Sequence, residues 1–252
     1  MNLAICIHGI IGGSSGKNGI GKILDVKKLY EHINKRIIKP NKDDFDEINF
    51  FIHTWSTDKT DLIKEYFKPK QIKSEVQKYF NPQKDPRKFS KFNSLFESIQ
   101  LCKKHINDDD IILSIRFDCA YKHEFKILKG RVKTIENNSN IFFPSNHLIW
   151  TDEYDKNRLS DYFFFGKAKN IVNIFTDENW KTVYKSMLEK NKHTTRRVNR
   201  FGNLRKPFLD NHTIIKSIFK TFFDIKMTIH KCKEFISHTH IDVYRDKGDE
   251  WK

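Results

Sequence analysis

The chain opens with a continuous apolar run, Leu3-Ala4-Ile5-Cys6-Ile7, that stops at His8-Gly9 and gives way to a Gly/Ser stretch holding Gly12, Gly13, Gly16, Gly19 and Gly21. That pattern predicts a buried strand feeding a glycine-rich loop. Apolar residues then recur at helical spacing (Ile23, Val26, Leu29, Tyr30, Ile33, Ile37), so a helix is expected over 23–38, closed by Pro40. Phe50-Phe51-Ile52 predicts a second strand ending at His53-Thr54-Trp55-Ser56, followed by a helix capped by Ser56 or Thr57 that stops before Pro69. Residues 81–90 read as a loop and 91–105 as a helix. The clearest strand, Ile111-Ile112-Leu113-Ser114-Ile115, runs into Arg116-Phe117-Asp118. Ile141-Phe142-Phe143 predicts a short strand, Asp161 to Gly166 a strand or a packed aromatic loop, and 211–238 a helix. Alternating strands and helices in the first half imply an α/β fold with a mostly parallel sheet flanked by helices, which places ligands at the strands' carboxyl ends.

Composition narrows the class. A chain of 252 residues with 22 Phe, 8 Tyr and 4 Trp has ample material for a core, and disorder is excluded. No apolar run approaches the roughly 20 residues that span a bilayer, and the start lacks a basic region before its apolar stretch, so a cytoplasmic location is the expectation. Cys6, Cys102, Cys119 and Cys232 show no paired spacing, which argues against a zinc knuckle or a disulfide framework.

The formal net charge of +15 would attract phosphates, nucleic acid or an anionic surface. Lysine outnumbers arginine 37 to 10, and Asn, Ile and Phe are also abundant, so part of the charge reflects an A/T-rich codon bias. Its distribution carries more information. Residues 1–180 hold 30 basic and 24 acidic groups, whereas 181–252 hold 17 and 8. Two segments follow: 1–180 as a ligand-binding α/β domain and 181–252 as a basic, mainly helical segment packed on it.

Several residues could carry chemistry. His8, Gly9 and the glycine loop suit a nucleotide phosphate, since glycines let backbone N–H groups close on an anion. Gly16-x-x-x-x-Gly21-Lys22 is not a P-loop, because Ile23 stands where a Ser/Thr should bind magnesium and the loop begins too far from Ile7. Arg116 and Asp118 emerge at a strand end, where an arginine neutralises a diphosphate and a carboxylate binds a divalent ion or a sugar hydroxyl; a plain surface ion pair accounts for them equally well. His53 and Trp55 suit a base or sugar ring, or a packed core. Asp108-Asp109-Asp110 reads as a turn. His238, His240 and Asp242 are too weakly spaced for a metal site. Arg196 and Arg197, with Arg200 and Arg205, form the densest arginine cluster, fitted to a diphosphate, a nucleic-acid backbone or simply solvent.

On these residues the chain resembles a group of GT-A-type glycosyltransferase-like proteins of large DNA viruses and bacteria. The resemblance rests on the order of five short motifs across residues 3–175: His8-Gly9, Phe51 to Ser56, Tyr66-Phe67-Lys68-Pro69-Lys70 with Glu75 and Gln77, Ile115 to Asp118, and Asp161 to Phe164. It implies a nucleotide-sugar-binding α/β half followed by an acceptor-binding part, with a metal-binding Asp-x-Asp after a central strand. Arg116 stands in place of the first Asp, leaving Asp118 as the sole metal ligand of that motif, so a role for Mn²⁺ or Mg²⁺ stays open. The resemblance also implies Asp161 as the catalytic base toward the acceptor hydroxyl, and a donor site made by His8, Gly9, His53, Trp55, Arg116, Asp118, Arg196 and Arg197. The expected function is transfer of a sugar from a nucleotide-diphosphate donor to a glycan acceptor. The alternatives are a nucleic-acid-binding protein using the basic C-terminal segment, and an inactive sugar-binding relative.

Overall fold

In the computed structural model, residues 1–11, 24–77, 86–121, 124–127, 141–142 and 163–176 are described, together with short pieces at 178–179, 181–182, 185, 197–198, 204–205 and 241–243. The first apolar run is strand β1 (Leu3–Gly9), and it lies inside a six-stranded sheet. It pairs in parallel with β2 (Ile48–Thr54) on one side and β4 (Ile111–Arg116) on the other, with Leu3 opposite both Ile48 and Ile111. β3 (Gln71–Ser74) extends the parallel set beyond β2. β7 (Phe163–Lys167) then runs antiparallel to β4, and β6 (Ile141–Phe142) antiparallel to β7, giving the order β3-β2-β1-β4-β7-β6. The chain therefore builds outward from β1 through β2 and β3, then returns to the other side of β1. In open α/β sheets such a reversal, here between the carboxyl ends of β1 and β4, is where a ligand crevice is expected.

An unbroken apolar run is what a strand covered on both faces requires. Leu3, Ile5 and Ile7 join Phe50, Ile52, Leu113 and Ile115 beneath α1 (Val26–Ile33) and α3 (Thr60–Phe67), which contribute Leu29, Ile33, Ile63 and Phe67. Ala4, Cys6, Phe51 and Ile112 face α4 (Pro86–Cys102) and α5 (Ala168–Ile174) through Leu95, Ile99, Cys102 and Ile171. The Cys6 and Cys102 thiols meet at 3.7 Å in this layer. β7 resolves the aromatic run as a strand by the same logic. Phe163 packs edge-on against Phe125 at 4.6 Å on one face, while Phe164 stacks on Phe175 at 5.7 Å on the other.

Several boundaries differ from the sequence expectation, each for a local reason. The first helix is capped by Asp25, whose carboxylate accepts the Lys28 N–H at 2.9 Å. It runs on through a π-helical turn (Asn34–Ile38) into α2 (Lys39–Asn41). Pro40 does not close it: the helix passes through the proline directly after the π-helical turn, the kind of local irregularity that accompanies a proline within a helix. Asn41 is buried there, donating to the carbonyls of Ile37 and Phe125 and accepting from the Ile127 N–H. Ser56 does not cap α3; its hydroxyl accepts the Ile11 N–H, and a 3₁₀ turn (Thr57–Lys59) leads into the helix. α3 stops at Lys68, in the left-handed conformation with φ 44° before Pro69. α4 starts within the expected loop, since Pro86 is well suited to a first helical turn.

β3 and β5 (Cys119–Tyr121) were not anticipated, being short and, in β3, polar. β5 pairs antiparallel with β10 (Ile241–Val243), so a piece of the C-terminal segment is hydrogen-bonded beside the Arg116–Asp118 turn. β8 (Arg197–Val198) and β9 (Leu204–Arg205) form a two-stranded pair of their own. The expected helix over 211–238 and the glycine loop lie outside the described residues. Among the described residues no helix is long and apolar enough to cross a membrane.

Candidate functional site

The parallel register sets four side chains in one transverse row at the carboxyl ends: Lys73 opposite His53, His53 opposite His8, and His8 opposite Arg116. Partners in a parallel register share a face, and this one is the face beneath α4. Gly9 ends β1 at φ 107°. Its carbonyl accepts the Trp55 N–H at 3.2 Å, and its own N–H donates to Ser94 Oγ on α4 at 2.8 Å. On the other side the Phe117 N–H donates to the His8 carbonyl at 3.3 Å, tying the turn after β4 to β1.

His8 is 1% exposed, and neither ring nitrogen has a hydrogen-bond partner among the described residues. Burial pushes its pKa well below the ordinary histidine value of 6.5, and the charges of Arg116, Lys91 and His53 push the same way. Arg116 is itself buried and donates through Nη2 to the buried Asp118 carboxylate. These two residues thus form an enclosed ion pair, with far less solvent screening than the surface pair considered from sequence.

His53 is also fully enclosed, and both nitrogens are engaged: Nδ1 with Ser94 Oγ at 2.7 Å and Nε2 with Glu75 Oε1 at 3.2 Å. Its pKa is lowered, because burial outweighs the hydrogen bond and charge of Glu75. Lys73 bridges Glu97 at 2.8 Å and Glu75 at 3.5 Å. The Trp55 ring stands edge-on to His53 at 4.5 Å, with its N–H on the Ser90 carbonyl. A hydrogen-bonded row of serine, histidine and carboxylate is the makeup of a nucleophilic triad, but the burial says otherwise. Ser94 is fully buried and its oxygen already holds the Gly9 N–H, so the chain Glu75-His53-Ser94-Gly9 is a frame for the end of β1.

Of the residues singled out from sequence, the structure brings His8, Gly9, His53, Trp55, Arg116 and Asp118 together. Asp161 and Arg196 lie outside the described residues, and for Arg197 the backbone in β8 is described. Asp242 falls in β10, opposite Ala120. Asp110 serves the turn before β4, accepting the N–H groups of Asn2 and Asn107. Ser94, Lys73, Glu97 and Lys91 were missed. One signal was available for Ser94: Ser90, Ser94 and Ser98 recur every fourth residue and are all buried, a stripe of small residues that lets a helix approach strands closely.

The Asp118 carboxylate is occupied by Arg116, and among the described residues no group of three His, Cys, Asp or Glu side chains could hold a metal ion. The described donor set does not fit a divalent cation.

An α/β fold with a mostly parallel sheet, and a row of two buried histidines between Lys73 and Arg116 at its strand-order reversal, is what the chain presents. No family model matches the sequence. No curated protein matches it either. Among solved structures, the nucleoside-diphosphate-sugar pyrophosphorylase from Vibrio cholerae RC9 is similar over 87% of this chain and 88% of that one, at 10% identity and a TM-score of 0.40.

Proposed function

We propose that the crevice between β1 and β4 binds a nucleoside-diphosphate sugar and that the chain transfers its sugar to an acceptor hydroxyl. The observation that carries this reading is the Lys73-His53-His8-Arg116 row at the point where strand order reverses. A diphosphate needs a fixed cation, and a planar guanidinium held by Asp118 offers paired N–H donors to phosphate oxygens. Arg116 then takes the place of the ion that an Asp-x-Asp motif would hold. Gly9 presents backbone free of a side chain, and His53 with Trp55 supports it from within. The acceptor oxygen attacks the anomeric carbon, the bond to the diphosphate oxygen breaks, and Arg116 stabilises the charge left on that oxygen. The acceptor's proton passes to Asp161, and direct attack inverts the anomeric configuration. Arg196 and Arg197 are assigned to the outer phosphate.

A thermal-shift series with UDP-glucose, GDP-mannose and related sugar nucleotides, with and without Mn²⁺, tests the reading. Ligand at a hundredfold excess over Kd should add about 2.7 kcal/mol of apparent stability, with or without the ion. If no sugar nucleotide raises the melting temperature, while single-stranded nucleic acid is retained with steep salt dependence, the nucleic-acid reading of the basic 181–252 segment replaces it.

A further inference from the structure

We propose that the crevice is a proton-coupled anion site, in which an anion seated against Arg116 is bound together with a proton taken up by His8. The inference rests on the donor site proposed above and adds how that site responds to pH. A histidine that serves only to pack is normally held by a hydrogen bond on at least one nitrogen, because an orphaned buried polar atom costs free energy. His8 is 1% exposed, and both Nδ1 and Nε2 lack a partner among the described residues, although Ser94, one layer away, reaches Gly9 and His53. Two open ring nitrogens in such a place are an incomplete arrangement, and the neighbours show what would complete it.

The groups facing His8 come from every element around it. β2 contributes His53, with Glu75 and Lys73 behind it; β4 contributes Arg116 with Asp118; α4 contributes Lys91, with Glu97 on Lys73. On β1 itself the nearest titratable group is the Cys6 thiol, which burial keeps protonated. Arg116, Lys91 and His53 all oppose a proton on His8, and burial opposes it further. Without an anion the ring is therefore neutral at pH 7. An anion on the Arg116 side reverses the largest of these charge effects and supplies an acceptor for a ring N–H. The proton and the anion then stabilise each other, and by linkage the affinity must rise as pH falls. A neutral pocket next to a fixed guanidinium also discriminates by charge, since a neutral ligand brings nothing that would repay protonating the ring.

Isothermal titration of UDP-glucose at pH 6, in two non-phosphate buffers of different ionisation enthalpy, measures the proton directly. The diphosphate of a sugar nucleotide is diesterified and does not titrate near pH 6, so any uptake belongs to the protein. The expected result is uptake of a sizeable fraction of one proton per ligand, with affinity rising by up to about tenfold per pH unit between pH 7 and 5. In His8→Gln both the uptake and the pH dependence should vanish. Should His8→Gln fail to fold, imidazole nitrogen shifts of His8 in the unmodified chain provide the same answer: the ring must move from neutral to protonated when ligand is added at pH 6. Sulfate, which does not titrate in this range, is the second probe. Sulfate binding with His8-dependent uptake, in the absence of any sugar-nucleotide binding, sustains the inference and removes the donor reading. UDP-glucose binding without uptake, or with uptake that persists in His8→Gln, overturns the inference and leaves the donor reading in place. Binding of neither probe overturns both.

Discussion

Gly9 holds φ 107°, a region that residues with a Cβ rarely enter, and no described atom lies within 4 Å of where that Cβ would be. Gly9→Ala should therefore cost backbone energy without a steric clash, about 1–2 kcal/mol in urea denaturation. Asp118 poses the opposite case. Asp118→Ala strands a buried guanidinium and should lose about 3–5 kcal/mol, whereas the double change Arg116→Met with Asp118→Leu should restore most of that stability while abolishing ligand binding. Comparing the two melting curves with a binding assay separates packing from recognition. His32 gives a pH prediction of defined sign. The Tyr121 N–H donates to its Nε2 at 2.8 Å, so the ring must be neutral there, and burial, with Arg36 and Lys35, lowers its pKa from 6.5 to about 4. The unfolded chain takes up this proton first as pH falls. Stability is complete above pH 6.5, declines down to about pH 4 by roughly 3 kcal/mol, and is insensitive to this group below that. A denaturation series from pH 7 to 4 should show a shallower decline in His32→Gln.

At the scale of elements, the Ser94 hydroxyl ties α4 to the end of β1, accepting from the Gly9 N–H and meeting His53. Ser94→Ala leaves a half-buried amide without its acceptor and should cost about 1–3 kcal/mol, with a parallel loss of sugar-nucleotide affinity as the end of β1 loosens. The elements that declare themselves in the sequence are those buried on whole faces. The apolar runs of β1 and β4 end visibly at His8 and Arg116, so the two sides of the crevice could be named in advance. β3 could not, because an outer strand reading Gln71-Ile72-Lys73-Ser74 carries no burial signature. The start of α4 hid behind prolines and charges, and Pro40 suggested a stop that the helix passes through. The burial of the Arg116 and Asp118 ion pair, and the frame that Ser94 completes, depend on how the α4 and β4 backbones meet neighbouring elements. The Arg116–Asp118 pair is local and readable, but its burial is not, and the frame joins Gly9 to Ser94 across 85 positions, which no local pattern encodes.

For the whole molecule, the pairing of β10 with β5 bears on the expected division at residue 180. A chain cut after residue 240 loses the strand that covers Cys119–Tyr121 and should melt several degrees lower, which a truncation series read by calorimetry would establish. β3 has a different bearing, on how separate copies meet. Among the described residues it is a terminal strand of the sheet, the kind of edge that a neighbouring chain can extend and from which edge-to-edge stacking and fibrils begin. Four features blunt it: only four residues of strand, Pro69 just before it, an exposed Gln71, and a lysine at each of positions 70 and 73. Replacing Pro69 with threonine and Gln71 with valine would lengthen and grease that edge without touching the crevice, and sedimentation should then report self-association that grows with concentration. A poor template at this edge thus favours separate copies over stacked ones.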